Sequence, residues 1–73
     1  MKHTIPTSVS SDELSNIIDQ HIIGFKAIRN RAILKSRYID GLTYEELAEL
    51  YAISVQQVKN IAYKGLNRIL PYL

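Results

Sequence analysis

The sequence predicts an all-α fold: a four-helix domain whose last two helices form a helix-turn-helix. Three observations point there. Apolar residues recur at three- and four-residue spacings along most of the chain, no stretch alternates in the manner of a strand, and one helix-start signal occurs twice only eleven residues apart near the middle of the chain. That signal is the capping box, in which Ser or Thr is followed three residues later by Glu or Gln. Thr43 with Glu46 and Ser54 with Gln57 both fit it.

The 73 residues are expected to form one domain over 10–73, with a flexible tail over 1–9 and the helix-turn-helix over about 43–70. Ser10 is a candidate cap with Glu13 three residues on, and Val9 is placed to staple onto Leu14. Leu14, Ile17, Ile18, His21 and Ile22 then share one helical face until Gly24 interrupts it. A second helix, roughly 26–39, follows. Phe25, Ile28, Ala32, Ile33, Leu34 and Tyr38 are expected on its apolar face, and Gly41 can end it in the left-handed conformation. A short third helix starts at the Thr43 box, with Leu47, Ala48, Leu50 and Tyr51 inside. The fourth starts at the Ser54 box and keeps Val55, Val58, Ile61, Ala62, Leu66 and Ile69 inside until Pro71 stops it.

Composition excludes several classes. At 47% hydrophobic and 22% charged residues the chain is globular rather than disordered. It has no cysteine, hence no disulfide framework and no thiolate metal site, which suits a reducing cytoplasm. The apolar runs fall short of the roughly 18 residues that a membrane span needs, and residues 1–9 lack an apolar signal stretch. A soluble cytoplasmic protein with no membrane partner is expected.

The net charge of +2 is uninformative, but its distribution is not. Lys26, Arg29, Arg31, Lys35 and Arg37 form a basic block, Asp40, Glu45, Glu46 and Glu49 an acidic one, and Lys59, Lys64 and Arg68 a second basic one.

Ala52, Ile53 and Ser54 make a three-residue connection between the last two helices, the spacing of a helix-turn-helix. Small Ala48 permits close approach, Ile53 plugs the turn, and Val58 and Ile61 are placed to pack on Leu47 and Tyr51. Outward on the fourth helix stand Gln56, Gln57, Lys59, Asn60, Tyr63, Lys64, Asn67 and Arg68, and no acid follows Glu49. Amide side chains can pair with an adenine edge and lysine with guanine or phosphate, so this inventory suits the major groove of double-stranded DNA. A merely solvated helix more often alternates Glu with Lys. Gln56, Gln57, Lys59, Asn60 and Tyr63 are therefore the candidate base readers. Thr43, Ser54, Lys64, Arg68, Arg31 and Arg37 are the candidate phosphate contacts.

The run from Arg29 to Leu70 resembles region 4 of bacterial sigma factors, the promoter-reading helix-turn-helix module. The likeness rests on Arg29-x-Arg31, Ile33-Leu34, Arg37-Tyr38, Asp40-Gly41-Leu42-Thr43, Glu46-Leu47-Ala48, Ser54, Val58, Ile61 and Lys64-x-Leu66, in order and at the family's spacing. It implies a DNA-binding module with a possible contact to RNA polymerase, here a stand-alone small regulator of the sort found in phages and mobile elements. Val55 and Gln57 stand where the family usually carries arginines, Asn60 where Gln is typical, and Ala52 where the turn usually has Gly. These departures imply a changed target sequence.

So few cations predict weak affinity for one copy, hence a symmetric homodimer on an inverted repeat, its reading helices about 34 Å apart. The first helix or the apolar end Ile69, Leu70, Tyr72 and Leu73 would join the copies. A protein–protein adaptor or anti-activator that binds the transcription machinery without reading DNA is the alternative. No enzyme is expected, because Thr43 and Ser54 have capping work and no base beside them, and Glu45, Glu46 and Glu49 sit at a helix start. No cofactor is expected and no metal either, since His3 and His21 have no partner at ligand spacing.

Overall fold

A computed structural model describes residues 8–73, so the first seven residues of the tail expected over 1–9, His3 among them, fall outside the described residues. Helix α1 spans Ser11–His21, α2 Ala27–Tyr38, α3 Tyr44–Tyr51 and α4 Val55–Ile69, and a 3₁₀ turn, Leu70–Tyr72, follows α4. No strand occurs among the described residues. The chain folds as the four-helix, all-α domain that the sequence predicts.

Local chemistry sets the boundaries. The Ser10 hydroxyl accepts from the Glu13 N–H at 3.1 Å and starts α1, and Val9 packs against the cluster that holds Leu14. Gly41, at φ 78°, ends α2, with the Leu42 N–H donating back to the Ser36 carbonyl at 3.0 Å. Helices α3 and α4 each open on a complete capping box. The start of α2 differs, having no side-chain cap and Lys26 left-handed at φ 58° before it. There the Arg31 Nε donates to the Ile22 carbonyl at 2.6 Å and ties α2 to the end of α1.

Packing runs through two clusters. Leu14, Ile18 and Ile22 meet Leu34, Leu66 and Ile69 in one; Ile33, Leu47, Ala48 and Val58 form the other. Neighbours Ile33 and Leu34 serve one cluster each, so α2 is the seam between them. Helix α4 packs against both α2 and α3 and is thereby fixed on two sides. Its Gly65 is buried against the Leu34 side chain, which brings the two backbones close.

Four apolar expectations need correction. Phe25 is 87% exposed and Ile28 84% exposed. Phe25 lies in the connection before α2, and Ile28, five and six residues from Ile33 and Leu34 at about 100° per residue, points almost opposite to them. Leu50 is 64% exposed, because Leu47, Ala48 and Tyr51 already define the inner face of α3 and Leu50 turns away from it. The apolar chain end does bury within one copy. Ile69 is inaccessible, and Leu70 and Leu73 pack against the first cluster once the 3₁₀ turn at Pro71 folds the end back. Of that end only Tyr72 stays exposed, its ring stacked 3.6 Å from that of His21.

Candidate nucleic-acid interface

Helices α3 and α4 each begin at a start that is hydrogen-bonded by its own residues. Thr43 accepts from the Glu46 N–H at 3.1 Å while Glu46 accepts from the Thr43 N–H at 3.0 Å. Ser54 and Gln57 repeat the exchange at 3.0 Å in each direction. Ala52 adopts φ 55°, which lets the Ile53 N–H return to the Ala48 carbonyl at 3.0 Å. Ile53, Val55 and Ile61 pack on the second cluster beneath. The hydrogen bonds from Thr43 hold the Glu46 carboxyl below its ordinary value of 4.5.

With its start pinned and Val58, Ala62, Gly65, Leu66 and Ile69 buried, α4 must turn its other side to solvent. Gln56, Asn60, Tyr63, Lys64 and Asn67 are all exposed and recur every three or four residues, so they form one stripe. Gln56 Nε2 donates to Asn60 Oδ1 at 3.1 Å, which leaves the amide donors of Asn60 and the carbonyl acceptor of Gln56 free. An adenine edge in the major groove presents the complementary acceptor and donor.

Other candidates lie off this stripe. Gln57 is exposed but its Oε1 is engaged in the α4 cap, and the Ser54 and Thr43 hydroxyls are likewise engaged in caps. Arg68 is exposed on one flank of the stripe; Lys59, on the other, is half-buried. Arg31 Nε is engaged by the Ile22 carbonyl at 2.6 Å, and Arg37 Nη1 donates to the Leu42 carbonyl at 2.9 Å.

Tyr44 joins the site although no sequence signal marks it. Its ring carries the Arg37 guanidinium at 4.2 Å and the Lys59 ammonium at 5.8 Å, and the Tyr63 ring meets it edge-on at 6.2 Å. Burial, with Tyr63 beside it, raises the Tyr44 phenol above its ordinary 10.0. Burial likewise pushes Tyr38, whose hydroxyl donates to the Ala62 carbonyl at 3.4 Å, up to about 12. Both phenols are neutral at physiological pH. The Thr43 box places Tyr44 at the first position of α3, but no sequence spacing links it to Arg37 of α2 or to Lys59 and Tyr63 of α4. Gly65 does carry a sequence signal, since a glycine kept inside a helical pattern is a sign of close backbone approach.

No group of three or more metal-ligating side chains occurs among the described residues. No helix among them is long and apolar enough to cross a membrane. The groove between the α1–α2 connection and α4 is lined by Ile22, Ile23, Leu34, Asn60, Lys64 and Arg68 among others, a lining without acid, thiol or hydroxyl.

A family model described as Sigma-70, region 4 matches residues 28–69, more than half of the chain. Among curated proteins and among solved structures, none matches.

Proposed function

Because the chain belongs to the Sigma-70, region 4 family, whose members bind DNA and RNA polymerase, we propose that it is a sequence-specific DNA-binding transcriptional regulator. Helix α4 enters the major groove, with Gln56 and Asn60 at base edges and Tyr63 beside them. Lys64 and Arg68 take phosphates. Thr43, Ser54 and Gln57 present the two helix starts to the backbone, where the positive ends of α3 and α4 favour an anion. One observation carries this reading: a solvent-facing stripe of amide and basic side chains, free of acid, on a helix whose start is fixed from both sides of a tight turn. Selection of bound sites from a random DNA pool tests it. A recovered consensus supports the reading, and recovery of no preferred sequence at low salt contradicts it.

Few cations flank the stripe, so one copy binds weakly, and two copies on an inverted repeat would double the contact. Since Ile69, Leu70 and Leu73 pack within one copy, the surface for a second copy is the group Ile23, Phe25 and Ile28 at the α1–α2 corner, which among the described residues includes the two most exposed large hydrophobics. That same corner favours a second reading. In it the domain is an adaptor that docks on the transcription machinery through these three side chains and leaves DNA alone. Sedimentation with and without DNA separates the two uses: a dimer that Phe25→Ser abolishes assigns the corner to self-association, and a monomer in both conditions assigns it to another partner.

A further inference from the structure

Two cations from different helices converge on one aromatic ring. Arg37 belongs to the end of α2 and Lys59 to the first half of α4, yet the guanidinium and the ammonium both lie within about 6 Å of the Tyr44 ring centre. Neither makes an ion pair among the described residues, where the one such pair is Lys35 with Asp19. Arg37 commits one N–H to the Leu42 carbonyl, and its guanidinium carries four more donors. Each cation is attracted by the electron-rich Tyr44 ring, which holds both at one place on the surface in the free protein. Tyr63, edge-on to Tyr44, adds a second aromatic contact at 78° and connects the group to the exposed stripe of α4.

Lys59 is thus positioned by a contact across helices. It is half-buried, lies on the flank of the α4 stripe and leans toward the start of α3, where the helix dipole also favours an anion. A side chain so placed faces the wall of a groove that the stripe enters.

We infer that Arg37 and Lys59 form a two-cation clamp for a DNA phosphate at the edge of the major groove, with Tyr44 as the positioning residue that holds both. This rests on the DNA reading above and moves Lys59 from base reader to backbone contact. The consequence is a fixed depth and register for α4, because the clamp joins α2, α3 and α4 to one phosphate.

The test measures binding of the full chain to a mixed-sequence duplex at several salt concentrations. Lys59→Gln should lower the magnitude of the slope of log K against log salt by about one, equally on all sequences. Tyr44→Leu removes no charge, yet should reproduce most of that change. Tyr44→Phe, which keeps the ring, should retain the unaltered slope. In the Tyr44→Leu background, Lys59→Gln should add little. Native helicity with an unaltered slope in Tyr44→Leu overturns the clamp, as does a Lys59→Gln effect on site preference rather than on slope. If Tyr44→Leu loses its helicity, Lys59→Gln and Tyr44→Phe decide: an unaltered slope in the first, or a lost one in the second, overturns the inference. A wild-type chain without salt-sensitive binding overturns instead the DNA reading on which the clamp depends.

Discussion

Gly65 of α4 lies so close to Leu34 of α2 that a Cβ built on the glycine falls 2.5 Å from Leu34 Cδ1 and 2.8 Å from Cδ2. Leu34 is fully buried, so its side chain has no free space to turn into. The approach sets how α4 sits on the core, and hence which of its residues face outward.

Gly65→Ala therefore introduces a clash costing about 1–3 kcal/mol, against a helix-propensity gain of about 1 kcal/mol. A net loss of about 1 kcal/mol is expected, visible as a fall in Tm of roughly 4–8 °C. Combining Gly65→Ala with Leu34→Ala should cost less than the two single losses together, since the second change makes room for the first. Full additivity would show that the contact is not the cause.

At the turn, Ala52 holds φ 55°, a conformation that disfavours a Cβ. Ala52→Gly should relieve it, offset in part by the greater freedom of glycine in the unfolded chain, for a net gain of up to about 1 kcal/mol in urea unfolding. Loss of stability on this substitution would contradict the strain.

The Glu46 carboxyl, lowered below 4.5 by the Thr43 backbone and side-chain hydrogen bonds, links the start of α3 to pH. A depressed carboxyl contributes stability that is present above its unfolded value and lost as pH falls through its folded one. Melting temperature should thus fall as pH drops below about 4.5. Glu46→Gln should shrink this acid-side fall, because the amide oxygen still accepts from Thr43 and does not titrate. An identical acid limb in both proteins would remove Glu46 as its source.

These residues also mark what the sequence made legible. Both capping boxes and the Gly41 stop read correctly because each is completed within a few residues. Phe25, Ile28 and Leu50 misled because apolar character does not specify which way a side chain points; that depends on the neighbours a helix acquires. The outward stripe of α4 was legible from helical period alone. The engagement of Gln57 in its cap was legible as well, since the same box announced it, whereas the gathering of Arg37, Lys59 and Tyr63 around Tyr44 exists only in three dimensions.

The structure also selects the residues for the decisive substitution. Removing Gln57 would weaken the start of α4 along with any base contact, because its side chain closes the capping box. Gln56 and Asn60 are exposed, bonded to each other and free of structural work, so replacing both by alanine probes base reading alone. The most direct measurement is the ratio of affinities for a selected site and a scrambled duplex, in the wild type and in Gln56→Ala/Asn60→Ala at matched salt. The expected result is a wild-type preference that falls to near unity in the double variant while salt-sensitive binding to both duplexes persists. An unchanged preference in the variant, or no preference in the wild type, would contradict the assignment of α4 as the reading helix.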